Sequence, residues 1–183
     1  MSPIKAKNLA LTFILAACVL GPAASVDGGQ EHPVGSGPED WWIAYPDQHL
    51  KAGSTVGHPT WALDPLKEKP VMILIHSSGC FHCISQEAEI KKVLGDLGND
   101  LTYLDVLAER DFERAWTGLE IYDPGGSPRL IPVTVFLTLV AGPDGDAEVA
   151  WHSAIGHKDE RWIRSYLSDA IALHGENFAR WDR

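Results

Sequence analysis

The sequence PVMILIHSSGCFHC, residues 70–83, decides the fold of this chain. Its apolar run at 71–75 has no polar interruption, which is typical of a strand buried on both faces of a sheet. Residues 77–79 then predict a turn. A helix is predicted over 80–97, because apolar residues recur there at helical spacing. The two cysteines of this stretch therefore stand where a buried strand leads into the start of a helix.

The segments that follow continue to alternate between strand and helix. A second strand is predicted at 101–106, a helix over 112–119, a hairpin of strands 133–140 and 147–152, and a last helix from 159. The order β-α-β-α-β-β-α predicts an α/β fold with a central sheet and helices on both faces.

The motif Cys80-Phe81-His82-Cys83 carries the chemistry of the sequence. Two thiols three residues apart at a helix start can close into a disulfide without disturbing the helix. The free N–H groups and the dipole of that helix end favour an anion, which lowers the pKa of the Cys80 thiol and increases its reactive thiolate. His82, between the thiols, adds a positive or hydrogen-bonding influence.

Two other uses of the cysteine pair stay open at this point. A plain stabilising disulfide would constrain little of the unfolded chain, because the loop that it closes is so short. A zinc site would need His76 and His82 to join the thiols, since the sequence has no second Cys-x-x-Cys. Covalent haem attachment is excluded, because Ile84 and not histidine follows Cys83.

These residues resemble the thioredoxin-like thiol–disulfide oxidoreductases. Residues 70–83 align without gaps with the strand and active-site segment of that family, and residues 131–134, Ile-Pro-Val-Thr, resemble its cis-proline loop. Gly156 matches the glycine that precedes the family's last helix. The resemblance covers residues 59–173 and implies a thioredoxin fold, with a central mixed β-sheet flanked by helices and, in this chain, an N-terminal extension.

The resemblance also implies a role for each site residue. Cys80 would be the nucleophile that forms a mixed disulfide with a substrate cysteine, and Cys83 would resolve it. Pro132 would be cis and pack against the disulfide, while the backbone of Ile131 would pair with an extended substrate segment. The redox-active disulfide Cys80–Cys83 takes the place of a cofactor, and no metal is expected. The chain is therefore expected to be an enzyme, a protein disulfide oxidoreductase.

Two departures from ordinary thioredoxins bear on the redox direction. Leu74 occupies the place of their buried acid, and Gly79 that of their tryptophan. The Cys-x-His-Cys motif is instead similar to that of periplasmic disulfide oxidases and disulfide isomerases, in which the histidine stabilises the thiolate. We therefore expect oxidation or isomerisation. Phe81 is either an apolar contact for the substrate or only a cover over the disulfide. A reductase supplied by a membrane partner, and a metal-binding or chaperone module without turnover, are the alternatives.

The first 24 residues are typical of an export signal, with Lys5 and Lys7 before an apolar run at 9–20 and small residues after it. The sequence before Cys18 also resembles a bacterial lipoprotein box. Cleavage before a lipid-bearing Cys18 and an uncleaved anchor helix are therefore the alternatives. We expect an exported protein of the periplasm, the cell envelope or the extracellular space. Its partners would be cysteine-containing exported proteins and a membrane or thiol redox partner.

The remaining sequence divides by composition. We expect a disordered linker at 25–40, an N-terminal extension at 41–69, the thioredoxin-like domain at 70–175 and a C-terminal tail at 176–183. Trp41, Trp42 and Trp61 either pack on the sheet edge or line a groove near the active site. Trp116 and Trp162 are expected in the core or at its edge, and His76 either couples to Cys80 or is solvated or bonded to backbone.

The overall charge excludes one class of partner. The 183 residues include 25 acidic and 15 basic side chains, which give a net charge of −10. A nucleic-acid binder that works through a broad basic surface is therefore excluded, and no nucleic-acid partner is expected.

Overall fold

The computed structural model describes residues 30–126 and 129–181. The expected export signal, the lipid site at Cys18, residues 25–29 of the expected linker and the last two residues of the expected tail lie outside the described residues. No helix in the described ranges is long and apolar enough to cross a membrane. The elements in chain order are α1 (Thr60–Leu66), β1 (Val71–His76), α2 (Phe81–Leu97), β2 (Thr102–Leu107), α3 (Phe112–Tyr122), β3 (Val133–Ala141), β4 (Ala147–Ile155), α4 (Glu160–Asn177) and a 3-10 turn (Phe178–Arg180).

Within the described residues the strands form a mixed sheet in the order β2-β1-β3-β4. β1 runs parallel to β2 and antiparallel to β3, and β4 runs antiparallel to β3. The central place of β1 explains why all its side chains are buried. The predicted α/β order and the mixed sheet flanked by helices are confirmed, and α1 adds a helix within the N-terminal extension.

Helices cover both faces of the sheet. On one face α2 and α4 pack over an apolar cluster that includes Met72, Leu74 and Phe136. On the other face α1, α3 and the extension pack over a cluster that includes Ile73 and Val135. The two clusters draw on alternate residues of the same strands, because successive side chains of a strand point to opposite faces. This arrangement places the start of α2 at the carboxyl end of the central strand.

The tryptophans of the N-terminal extension pack on the edge of the sheet. The backbone of Trp42 pairs with that of Trp151 in β4 through hydrogen bonds of 2.8 and 2.9 Å. Trp41 and Trp42 are fully buried, one on each side of the sheet. Sheet-edge packing is therefore the correct one of the two interpretations for this pair. Trp61 is half-buried and packs against the cluster beneath α1 and α3.

Residues 30–40 differ from the disordered linker that we expected at 25–40. The carboxylate of Asp169, in α4, accepts the backbone N–H groups of Glu31 and His32, each at 2.9 Å. The ring of His32 lies 2.9 Å from the same carboxylate and stacks on Tyr166, with ring centroids 3.7 Å apart. Hydrogen bonds and one aromatic stack hold the segment in place. Because the segment has almost no apolar residues, the sequence did not reveal this packing.

The end of the domain lies slightly beyond the expected residue 175. α4 continues through Asn177, whose buried amide donates to the carbonyl groups of Leu139 at 3.2 Å and Leu173 at 2.8 Å. Residues 176 and 177 therefore belong to the last helix and not to a tail.

Trp116 is not a core residue, contrary to the sequence-based expectation. Its side chain is 46% exposed and stacks on Phe112, with ring centroids 6.0 Å apart. The guanidinium of Arg129 lies 3.9 Å over the Trp116 ring. The buried stripe is narrower than expected, because α3 buries Ala115, Gly118 and Tyr122 and leaves Phe112 and Trp116 exposed. Trp162 is half-buried at the edge of the cluster under α4, as expected.

Candidate active site

The cysteine pair lies where β1 leads into α2. The intervening turn is closed by the N–H of Cys80, which donates to the carbonyl of Ser77 at 3.3 Å. Cys80 has extended backbone angles and is the N-cap of α2, and its sulfur accepts the N–H of Cys83 at 3.2 Å. A sulfur atom at this position faces the free N–H groups and positive dipole of the helix start, an environment that favours a thiolate.

The two sulfurs differ in accessibility. Cys80 and Cys83 form a disulfide with their Cα atoms 5.1 Å apart. Cys80 is half-buried, whereas Cys83 is fully buried. The difference follows from the helix, because Cys80 precedes the first turn and Cys83 lies within it on the sheet-facing side. An incoming thiolate can therefore reach Cys80 but not Cys83.

Pro132 lies beside this disulfide. The Ile131–Pro132 peptide bond is cis, and the carbonyl oxygen of Ile131 lies 4.0 Å from the Cys80 sulfur. Pro132 is buried, and its carbonyl accepts the N–H of Gly156 at 2.8 Å, which fixes the loop against the connection between β4 and α4. The strand order, the helix-start disulfide and the adjoining cis-proline together decide the fold. The fold is thioredoxin-like.

Several solved thioredoxin structures are similar to this chain. Chloroplastic thioredoxin z matches with a TM-score of 0.44 and 13% identity, over 57% of this chain and 80% of its own. Mitochondrial thioredoxin 3 from Saccharomyces cerevisiae, in its oxidized form, matches with 0.42 and 15%, over 60% and 88%. The thioredoxin of Fasciola hepatica matches with 0.42 and 14%, over 61% and 89%. No protein-family model and no curated protein matches the chain. The thioredoxin-like fold rests on the strand order and the site, and not on these partial superpositions.

Exposed apolar side chains belong to both segments that flank Cys80. Phe81 is 77% exposed and Ile84 58% on the helix side, and Leu130 is 52% exposed on the proline side. The backbone of Ile131 makes no hydrogen bond to another backbone group of the described residues. Among the described residues, no backbone partner therefore competes with an extended chain for its N–H and carbonyl groups. Phe81 and Ile131 are thus both accessible where the resemblance implies a substrate.

His82 is exposed in the first turn of α2, and its ring contacts Phe81 with centroids 5.8 Å apart. This position leaves the imidazole at the positive end of the helix, two residues after Cys80. In the part of the chain that the structure describes, no three histidine, cysteine or acidic side chains are arranged to hold a metal ion.

His76 is buried between two carboxylates, which corrects both interpretations of it. Its Nε2 atom lies 2.6 Å from Oδ1 of Asp105 in β2, and its Nδ1 atom lies 3.0 Å from Oε1 of Glu87 in α2. The Nε2 atom is hydrogen-bonded to the neighbouring strand, and the carboxylate of the active-site helix lies against the other nitrogen without a hydrogen bond. The ring is neither solvated nor bonded to backbone, and its nitrogens face carboxylates and not the sulfur of Cys80.

The turn that presents Cys80 is held by Glu109. Its carboxylate accepts the hydroxyl of Ser77 at 2.6 Å and the N–H of Ser78 at 3.1 Å. The Ser77 hydrogen bond is the largest of the effects that lower the pKa of Glu109 below its ordinary value. An ionised Glu109 thus fixes the loop between β1 and the cysteine pair.

Two buried polar side chains close to the pair were missed in the sequence. Gln86, one turn beyond Cys83 on the sheet-facing side of α2, is fully buried, and its Oε1 atom accepts the N–H of Lys158 at 2.6 Å. Thr134, two residues after Pro132, is also fully buried. The only available signal was that Gln86 interrupts the apolar spacing of its helix.

Proposed function

We propose that this chain is a thiol–disulfide oxidoreductase that works through Cys80 and Cys83. The observation that carries the proposal is the pairing of one reachable and one buried sulfur at a helix start. Cys80 is half-buried and lies 4.0 Å from the Ile131 carbonyl oxygen, while Cys83 is fully buried. Such a pair exchanges in a fixed order, because only one of its sulfurs can be attacked from solvent.

The oxidising reaction proceeds in two exchanges. A substrate thiolate attacks the Cys80 sulfur, a mixed disulfide forms, and the electron pair of the broken bond leaves with Cys83, which takes up a proton. A second substrate thiolate then attacks the substrate sulfur of the mixed disulfide and releases Cys80 as a thiolate. The substrate gains a disulfide and loses two electrons, which the Cys80–Cys83 pair retains. Reduction of a substrate is the same sequence in reverse.

Two features support oxidation or isomerisation as the physiological direction. Leu74, fully buried in the middle of β1, supplies no carboxylate where ordinary thioredoxins have an acid. His82, exposed beside the helix start, favours the thiolate of Cys80 by charge or hydrogen bonding. A more stable thiolate favours the reduced pair, which makes its disulfide a stronger oxidant.

The proposed substrates are cysteine-containing exported proteins, with a membrane or thiol partner that resets the redox state. The signal-like sequence of residues 1–24 supports export. The backbone groups of Ile131, which have no backbone partner among the described residues, support binding of an extended segment as an added strand. The exposed ring of Phe81 supports a preference for apolar residues next to the substrate cysteine.

A turnover assay with a reduced, unfolded protein substrate and glutathione disulfide tests this function. The wild-type protein should oxidise many equivalents of substrate, and Cys80→Ser should oxidise none. Ala88→Ser, an exposed change on the same helix, should behave as wild type and is the matched control. Binding of a single equivalent without turnover would indicate a metal-binding or chaperone module and would contradict the proposal.

A further inference from the structure

Gln86 carries a buried donor that the resting protein leaves unused. The backbone N–H of Lys158 is a donor, so the amide atom that meets it at 2.6 Å must be the acceptor Oε1. This fixes Nε2 as a donor in the interior, and Nε2 makes no hydrogen bond with any residue that the structure describes. Gln86 is fully buried, and buried donors rarely lack an acceptor.

Thr134 carries a second unused group. Its side chain is fully buried, and its hydroxyl makes no hydrogen bond with a described residue. On the same strand, Thr138 is equally buried but donates to the carbonyl of Ala170 at 2.7 Å. The unused hydroxyl is therefore specific to the end of β3 that lies next to Pro132.

Both groups lie on the side of the sheet that α2 covers. Cys83 and Gln86 are three residues apart on the buried face of α2, a spacing that brings Cβ atoms to about 5–6 Å. Thr134 and Phe136 are two residues apart on β3, so their side chains point to the same face of the sheet. Phe136 belongs to the apolar cluster under α2 and α4.

A series of hydrogen bonds connects Gln86 to the segment that contains Pro132 and Thr134. Gln86 holds Lys158, whose loop includes Gly156, and Gly156 donates to the carbonyl of Pro132 at 2.8 Å. Thr134 follows Pro132 by two residues in the same segment. One unused group thus comes from α2 and the other from β3, and both lie in the layer between this helix and the sheet.

We propose that the Gln86 amide and the Thr134 hydroxyl donate hydrogen bonds to the Cys83 sulfur while that sulfur carries negative charge during disulfide exchange. This proposal rests on the thiol–disulfide exchange proposed above. It assigns to both residues a catalytic role, because the atom that they contact is a reacting atom.

The negative charge on the Cys83 sulfur that these two donors would stabilise exists only transiently, during the exchange. When a thiolate attacks Cys80, the S–S bond breaks and its electron pair stays on Cys83 until a proton arrives. In the closing direction the Cys83 thiol gives up its proton, its sulfur attacks Cys80, and the expelled thiolate takes up a proton. Donors that act on this transient charge lower the barrier in both directions and leave the equilibrium unchanged.

The experiment measures opening and closing of the disulfide with glutathione as the probe, in the full mature chain. Thr134→Val removes the hydroxyl with little change of shape and orphans no partner. We expect the opening and closing rate constants both to fall about tenfold, as loss of a hydrogen bond to a charged atom predicts. The equilibrium constant with glutathione should stay within about twofold of wild type. Thr134→Ser should restore the rates.

Two further variants complete the test. Gln86→Leu should slow both directions in the same way, and thermal unfolding checks that it is folded; if it is not, Thr134→Val decides. Thr138→Val is the matched control, about 13 Å further along β3, and should leave both rates unchanged. Wild-type rates in Thr134→Val, or equal slowing by Thr138→Val, would overturn the proposal. A wild-type disulfide that does not exchange with glutathione would instead overturn the proposed function.

Discussion

His152 provides a test of how the N-terminal extension is packed. It lies in β4 and is 2% exposed, with its ring stacked on Tyr166 at 4.0 Å and tilted against Trp42 at 4.4 Å between centroids. Its Nδ1 atom donates to the backbone carbonyl of Asp40 at 2.9 Å. The perturbation is His152→Phe, which keeps an aromatic ring in the stack and removes the titrating group.

The sign and size of the effect follow from the imidazole. Burial is the main effect that lowers the pKa of His152 from 6.5 to about 3. The hydrogen bond to Asp40 opposes this shift, and the charges of His32 and Lys158 add to it. Between about pH 3 and pH 6.5, His152 therefore carries a proton in the unfolded chain but not in the folded chain. The contribution of His152 to the free energy of unfolding thus falls as the pH falls through this range. At about 1.4 kcal/mol per pH unit, the wild type should lose about 3 kcal/mol relative to the variant between about pH 7 and pH 4.

Urea unfolding of both proteins across that pH range measures the difference. Acidic groups titrate in both chains, so their effect cancels in the comparison. We expect the free energy of unfolding of the wild type to approach or cross that of His152→Phe as the pH is lowered. A difference between the two proteins that stays constant from neutral to acidic pH would refute the reasoning.

Three more predictions concern the site and the segment before it. His82→Pro, a change that the first turn of a helix tolerates, should raise the pKa of Cys80 and lower the reduction potential by about 30 mV, which glutathione equilibria and thiolate absorbance measure together. Cys83→Ser should accumulate a mixed disulfide on Cys80 because the resolving thiol is gone; mass spectrometry detects it. Asp169→Asn should lower the free energy of unfolding by about 1 kcal/mol and speed amide exchange at Glu31 and His32, since one of the two oxygens that accept these partly buried N–H groups is lost. Unchanged values in these assays would contradict the respective assignments.

The parts of the fold that the sequence predicted are those with a local pattern. Local structure was predicted correctly from the apolar run at 71–75, the cysteine spacing and the β-branched run of β3. Such features suffice because periodicity and turn residues act over a few neighbours. The resemblance added the cis bond before Pro132, which no local pattern of this sequence specifies.

The parts that were missed depend on partners far along the chain. Residues 31 and 32 pack because Asp169 accepts their N–H groups across 138 and 137 positions. His76 is buried because two other elements bring carboxylates to it. Such pairs leave no periodic trace in a single sequence, and a polar segment looks the same whether its donors meet water or a distant carboxylate.

The central claim is that Cys80 and Cys83 form a reversible redox pair in which Cys80 is the attacked sulfur. The most direct test is a titration of the folded protein against glutathione, with alkylation of the reduced form at mildly acidic pH and identification of the modified cysteine. The account predicts one reversible two-electron transition without unfolding, with Cys80 modified first. A disulfide that opens only when the protein unfolds, or preferential modification of Cys83, would contradict it.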